Sequence, residues 1–460
     1  MQPLKYKEVL EATKGTLICG DKNAKVTNIS IDSRKITKDD LFIPIVGENF
    51  DGHDFIIPSL QAGALAAITH KQISPLKNKT LILVEDTSKA LKDLASYYRM
   101  KFDIPFIGIT GSVGKTSTKD MVAVVLSQKY NVLKTEGNFN NEIGLPLTIF
   151  NLDSFHEVAV IEMGMSGIGE ISRLTSIARP DIAVITNIGT SHIEKLGSRQ
   201  NILKAKMEIL DGLSRQGVVI LNGDDNLLCG MKDLLKYKTV FFGMEEGVDY
   251  QATNVKTFGE TGSYFEITIK NHEYRINIPS PGTHNVYNAL AAIAVGLQLN
   301  IPMEKIVSGI SEFVPSKMRL NITNKNGVKI INDAYNASPQ SMEAAINVLK
   351  DVGSGGRTIA ILGDMLEMGD WAGKAHRAVG KFAVTKGINF ILGVGEYGTE
   401  IVTGAIEAGA SKESALFFLS NSDVNLFLKG FVKSGDIVLV KGSRGMKMEK
   451  IVDNLSNMKA

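Results

Sequence analysis

The chain has 460 residues, too many for one ordinary core; at roughly 150 residues per domain it predicts about three domains. A composition of 44% hydrophobic and 22% charged residues is that of a soluble globular protein. With 51 basic against 49 acidic residues, a net charge of +2, it lacks the basic excess of a general nucleic-acid binder, so no nucleic-acid partner is expected and only a local basic pocket for phosphates is left open.

Cys19 and Cys229 stand far apart, form no CxxC pair and no disulfide framework, and read as reduced thiols. The opening MQPLKYKEVLEATKG is charged and amphipathic, without the apolar core of a signal peptide. No apolar run approaches the ~20 residues that span a bilayer. A cytoplasmic protein without membrane insertion is expected, and nothing in the chain demands more than a monomer.

Short β-branched runs alternate with helical patterns: Phe106–Thr110, 158–162, 182–186, 218–221, 358–362, 390–394 and 436–441. Strands separated by helices predict parallel sheets built from βαβ units. The expected class is α/β in three domains: a small N-terminal α/β domain (1–98), a central P-loop parallel-sheet domain (99–313) and a Rossmann-like C-terminal domain (314–460). The first boundary lies near Tyr97–Pro105, where a helix gives way to a strand. The second lies near Phe313–Lys317, where FVPSK breaks a helical stretch. Between Val248 and Pro281 polar and apolar residues alternate, which predicts antiparallel strands at the edge of the central domain.

The strongest local signal is Gly108-Ile-Thr-Gly-Ser-Val-Gly-Lys-Thr-Ser117, entered by the strand pattern IPFIGIT and left by the helical pattern TKDMVAVVLSQ. Strand, glycine loop and helix N-terminus together make a phosphate cradle. Gly111 and Gly114 let backbone amides face an anion, and the helix start adds partial positive charge. Lys115 would reach the β- and γ-phosphates and Thr116 would ligate Mg²⁺. The strict pattern has glycine at position 109, where this chain has Ile109; a glycine-rich turn without chemistry is the alternative. Kinases, GTPases, ATPases and ligases share the loop. The missing first glycine and the lack of an NKxD-type guanine signature argue against a GTPase.

Three clusters follow. Thr135–Thr148 is dense in small polar residues, as a loop folded against a charged ligand would be. The run 160–165 is a strand ending in Glu162, where a P-loop sheet holds its metal-binding acid. The run 185–194 is a strand ending in Asn187 and followed by His192. Alone, His192 reads as a structural histidine. With Glu162, after a P-loop, the two read as groups converging on a metal. Lys204, Lys206 and Glu208 read, from the residues alone, as a solvated helix face. Asn285 and Asn288, three apart on a helix, either offer amides to an adenine edge or cap the helix start.

The segments GITGSVGKTS, EGNFNNEIGLPLT, IEMGM, ITNIGTSHIE, KAKMEI, PGTHNVYNALAA, MRL, INDAYNASPQSM, LGDMLEMG and VKGSRGMKME occur in the order and spacing of the Mur ligases, which the chain resembles over nearly its whole length. The resemblance implies an ATP-dependent amide-bond ligase of peptidoglycan synthesis that uses ATP and Mg²⁺ and extends a UDP-N-acetylmuramoyl acceptor. NFNNEIGLPLT, NDAYNASPQSM and LGDMLEMG resemble most the branch that joins D-alanyl-D-alanine to UDP-N-acetylmuramoyl-tripeptide through an acyl phosphate. The DNPR-type signature of the branch adding the third amino acid is absent.

The same resemblance implies the site residues. Lys115, Glu162, His192, Lys206 and Arg319 form the catalytic set, with Lys206 as a carbamate; Thr116, Glu162, His192 and that carbamate hold Mg²⁺. ATP falls to Thr110, Gly111, Ser112, Val113, Gly114, Lys115, Thr116 and Ser117, with Asn285, Asn288, Arg319, Asp333 and Asn336. The two other substrates fall to Ser33, Arg34, Gly47, Asn49, Asp51 and His53, to Asn138, Asn140 and Asn141, and to Lys441 and Arg444. Two further readings stay open: another carboxylate–amine ligase of the superfamily, such as a folylpolyglutamate-type enzyme, and a non-catalytic ATP-binding protein of the cell-wall machinery.

Overall fold

The computed structural model describes residues 1–353 and 355–458. Its centre is a seven-stranded parallel sheet in the order Tyr250–Gln251, Lys238–Gly243, Val218–Asn222, Ile182–Ile185, Phe106–Thr110, Val158–Glu162, Val132–Lys134. Along Phe106–Thr110 the side chains alternate, Phe106 entering one core and Ile107 and Ile109 the other. Both faces are covered, which is why this strand is a continuous apolar run. Ile109 replaces the first P-loop glycine because position 109 is still strand, fully buried and in register with Glu162. Burying each such isoleucine contributes ~2 kcal/mol.

Helix Lys115–Ser127, which leaves the glycine loop, packs on helix His284–Gln298. Most of that second helix is buried, from Asn288 through Gly296 without a break, so its sequence is apolar on every side. The antiparallel expectation for 248–281 needs one correction. Tyr250–Gln251 extends the parallel sheet, and only Thr253–Thr257, Ser263–Ile269 and His272–Ile278 form a separate antiparallel sheet.

The N-terminal sheet has the order Thr16–Cys19, Thr80–Leu83, Ala66–Thr69, Asp40–Phe42, Asn28–Ser30, with only its first pair antiparallel. Helix Thr87–Arg99 fastens it to the central sheet: buried Arg99 donates to the Ala178 carbonyl at 2.7 Å and lies 3.5 Å over the Phe106 ring. The C-terminal sheet runs Asn321–Lys325, Val328–Asp333, Ile437–Lys441, Thr358–Gly363, Phe390–Val394, Ala415–Phe418, again with one antiparallel edge pair. Parallel register brings Asp333 beside Lys441 at the carboxyl edge. Away from residues 314–320, which link the two, this domain also meets the central one through an ion pair of 2.6 Å between Lys329 and Glu260. Among the described residues no helix is long and apolar enough to cross a membrane.

Candidate active site

The glycine loop is clamped by the end of the neighbouring strand. Val113 N–H donates to Asn187 Oδ1 at 3.0 Å, while Asn187 Nδ2 and Thr186 Oγ1 donate to the Val113 carbonyl at 2.9 and 2.6 Å. A side chain at Gly111 would collide with Thr186, and Gly114, at φ +85°, holds the left-handed turn that starts the helix. No side chain caps that helix start. Lys115 Nζ folds back to donate to the Gly111 carbonyl at 2.8 Å. Desolvation pushes its ammonium down, Glu162 opposes and the Arg319 charge adds to the shift.

Glu162 ends the strand on the other side of the loop and is buried. Its Oε1 accepts from Asn140 Nδ2 at 2.7 Å, while its buried Oε2 has no hydrogen-bond partner. Asn141 does a structural job here: its Oδ1 accepts from the amides of Ile143 and Gly144 at 3.2 and 2.8 Å, at the start of helix Gly144–Phe150. Asn138 is exposed and lines a cavity between the central and C-terminal domains. The solvated face read for 204–208 is correct only for Lys204. Lys206 is buried, and desolvation, with Lys115 nearby, holds its ammonium well below the usual lysine range. Glu208 accepts from the amides of Gly169 and Ser172 at 2.6 and 3.2 Å.

The C-terminal domain supplies the opposite wall. Arg319 Nη2 donates to Thr116 Oγ1 at 2.9 Å, and its guanidinium lies 4.3 Å over the Tyr335 ring. Lys441 and Asp333, assigned to different ligands from the sequence, are bonded to each other at 2.5 Å, and Lys441 also donates to the Asn336 carbonyl at 2.8 Å. Arg444 is exposed and pairs with Glu449 at 3.2 Å. His192 Nδ1 lies against the Glu367 carboxylate, which pulls that acid below its ordinary range. Asn285 and Asn288 do share a face, but their amides are largely engaged. Asn285 donates to Ser280 Oγ and the Pro281 carbonyl at 3.0 and 2.9 Å and accepts from Asn288 at 2.9 Å, while Asn288 accepts from Thr118 at 2.8 Å.

These groups border one cavity of about 830 Å³ between the two domains. It is lined from Ser112 to Thr118 and by Glu162, His192, Arg319, Asp333 and Lys441 among others. Thr110, Gly111 and Lys206 are not in its lining; the strand, the turn and the helix keep them behind it. Nor are Ser33, Arg34, Gly47, Asn49, Asp51 and His53, which gather at the carboxyl edge of the N-terminal sheet. There Arg34 forks onto Asp32 at 2.9 and 3.0 Å. Asp51 accepts from the His53 ring and from Lys71, each at 2.6 Å, while Asn49 is exposed and Gly47 N–H donates to the Phe50 carbonyl.

Sequence reasoning gave no role to Asn187, Thr186, Tyr335 or Glu367, all at this cavity. A signal existed for Asn187, a polar residue ending the strand beside the loop strand. Nothing local pointed Glu367 at His192, 175 positions away. Among the described residues no group of three or more His, Cys, Asp or Glu side chains converges as a metal site would.

Comparison with known proteins agrees with this architecture. Models described as Mur ligase family, catalytic domain, Mur ligase middle domain, and Mur ligase, glutamate ligase domain match residues 25–99, 109–296 and 318–444. The chain is 42% identical over 452 residues to the UDP-N-acetylmuramoyl-tripeptide--D-alanyl-D-alanine ligase of Bacillus subtilis (strain 168), covering 98% of this chain and 97% of that one. A crystal structure of MurF from Acinetobacter baumannii superposes with a TM-score of 0.92 at 31% identity, covering 99% of each chain. The MurF ligase from Thermotoga maritima in complex with ADP does so at 0.82 and 30%, over 93% of this chain and 97% of that one. With three domain matches end to end and relatives of this identity along its whole length, the chain belongs to the Mur ligase family.

Proposed function

We propose that this protein is an ATP-dependent ligase that joins D-alanyl-D-alanine to UDP-N-acetylmuramoyl-tripeptide, giving the pentapeptide, ADP and phosphate. The observation that carries the reading is the meeting of a P-loop with an arginine of a second domain at Thr116, inside a large cleft, in a chain whose full-length relatives bear that name. The tripeptide's terminal carboxylate attacks the γ-phosphorus, a C–O–P link forms and ADP leaves. The dipeptide's amine then attacks the carbonyl, the amide forms and phosphate departs. No side-chain nucleophile is needed. Lys115, released from the Gly111 carbonyl, and Arg319 hold the charge that spreads over the moving phosphoryl group. The cleft between two domains keeps water from the acyl phosphate.

Mg²⁺ fits the donor set. Glu162 Oε2 is a buried carboxylate oxygen without a partner, and Thr116 adds a hydroxyl at the loop. His192 stands at the same cavity. A carbamate on Lys206 would add the anionic oxygens that Glu162 and His192 alone do not supply; burial favours the neutral amine that carbon dioxide needs. When bound, the cation supplies charge neutralisation on the phosphates. The adenine falls to Asn285 and Asn288, and the ribose to Asp333 and Asn336. Lys441 and Arg444 would receive the dipeptide carboxylate, and Lys441 must then loosen from Asp333.

The UDP group falls to the N-terminal sheet edge, where Arg34 would exchange Asp32 for a diphosphate, its planar fork matching two oxygens. Residues 1–98, 99–313 and 314–460 thus act as acceptor, nucleotide and dipeptide domains of a cytoplasmic monomer. The deciding experiment is phosphate release from ATP by the purified protein with UDP-N-acetylmuramoyl-tripeptide, with and without D-alanyl-D-alanine. Release that needs both, with a product one dipeptide heavier, establishes the reaction. Release with a different amine keeps the family and changes the member. No release with any pair overturns the ligase reading in favour of a nucleotide-binding protein.

A further inference from the structure

We infer that Asp120 and Ser316 are positioning residues that set the reach of Arg319 into the phosphate site, an inference that rests on the ligase reading above. Thr116 and Asp120 are one turn apart on the P-loop helix and present the same side of it. Ser316 and Arg319 are three apart in residues 314–320, the linker segment with which the C-terminal domain opens. Ser316 Oγ donates to Asp120 Oδ2, and Arg319 Nη2 donates to Thr116 Oγ1 at 2.9 Å. The linker is therefore stapled at two points to the first two turns of the helix that carries the phosphate loop.

The Asp120 end of the staple is itself fixed. Its buried carboxylate takes Lys119 at 3.0 Å and Lys134 at 2.9 Å. Lys119 also donates to the Thr135 carbonyl at 2.6 Å, and Thr135 Oγ1 accepts from the Glu162 amide at 3.0 Å. One polar chain thus runs from the linker to the strand end that bears Glu162. The linker also holds a costly shape: Met318 and Leu320, on either side of Arg319, both lie in the left-handed region, at φ +58° and +53°. Non-glycine residues keep such angles only where their surroundings dictate them. A long arginine on an untethered linker would sample many placements, whereas catalysis of phosphoryl transfer depends on charge already in position.

The test compares Ser316→Ala, Ser316→Thr, Asp120→Asn and the double variant Ser316→Ala/Asp120→Asn. Ser316 is half-buried in the linker, and without its hydroxyl Asp120 keeps both lysines, so the alanine variant retains the fold. Two readouts are used. One is the split between kcat and KM for ATP. The other needs no substrate: the chain's single tryptophan, Trp371, sits on the turn Gly369–Trp371 that packs on Ile193–Leu196 of the central domain, so its emission and quenching report how the domains meet. Ser316→Ala should lower kcat about tenfold with little change in KM or melting temperature, and should alter Trp371 quenching. Ser316→Thr should restore both. The double variant should lose no more than Asp120→Asn alone, the mark of residues acting as one unit. Unchanged kcat and unchanged Trp371 quenching in Ser316→Ala, a fall in melting temperature alone, or additive losses in the double variant would overturn the inference. If the wild type releases no phosphate with any substrate pair, the ligase reading falls, and Trp371 quenching alone then decides whether the tether exists.

Discussion

Acidification should expose the cost of holding His284 neutral. The imidazole begins helix His284–Gln298 and faces Asp333 and Lys441. Burial pushes it down to about 4 from an ordinary 6.5, with Asp333 opposing and Lys441 adding to the shift. In the unfolded chain the ring takes up a proton below about 6.5; in the folded chain it does so only below about 4. Between those values unfolding binds a proton, so stability rises with pH and is lost as pH falls through the window. At pH 5 the loss is about 2 kcal/mol relative to pH 7.5. For a cooperative unit of roughly 200 residues that is about 4–8 °C in melting temperature. Thermal melts of the wild type and His284→Gln at both pH values isolate the effect, because the other titrating groups are common to both. The gap between the two proteins should shift towards the variant by that amount on acidification. A gap that stays constant would refute the neutral histidine, which is half-buried at the lining of the cleft.

Lys115→Ala should cut phosphate release by about 10²–10³-fold or more, since it removes a preorganised charge at the transferring group; near-normal turnover would sink the P-loop assignment. Lys206→Ala should be inactive and partly rescued by short carboxylic acids, whereas an unmodified amine by mass spectrometry together with no rescue would end the carbamate idea. Glu162→Gln keeps the bond from Asn140 in shape but loses the charge, so half-saturating Mg²⁺ should rise about tenfold or more in an activity titration. Arg357→Ala leaves buried Asp436, which it now clasps at 2.8 and 2.6 Å, with only the Lys433 amide, and should cost about 3 kcal/mol. Calorimetry should see that loss in the transition of the C-terminal domain, with activity at low temperature retained.

What could be read from the sequence was whatever is encoded locally. The glycine loop, the strand that feeds it and the helix that leaves it are consecutive, and all three are present as Phe106–Thr110 and Lys115–Ser127. Glu162 was legible because a strand ending in an acid after a P-loop has few other uses, and parallel register sets it beside Ile109. Lys206 was not legible from its residues: a lysine among polar neighbours looks solvated, and only the packing of its helix beneath the cleft buries it. The Lys441–Asp333 and His192–Glu367 pairs join positions far apart in the chain, which no spacing rule encodes. The amides of Asn285 and Asn288 were correctly set on one face, but their mutual bond depends on Ser280 and Thr118 arriving from elsewhere.

The Lys329–Glu260 pair and the His192–Glu367 pair both bridge the central and C-terminal domains, and all four side chains are open to solvent in part. An exposed ion pair such as Lys329–Glu260 contributes only about 0.5 kcal/mol. By itself such a pair shifts a two-state balance only about twofold, so the bonds from Ser316 and Arg319 to the P-loop helix carry more of the join. Molecules that touch both walls of the cleft favour the joined arrangement, while those that touch one wall do not shift it. Raising the salt concentration screens the Lys329–Glu260 pair and should loosen that contact before any substrate arrives.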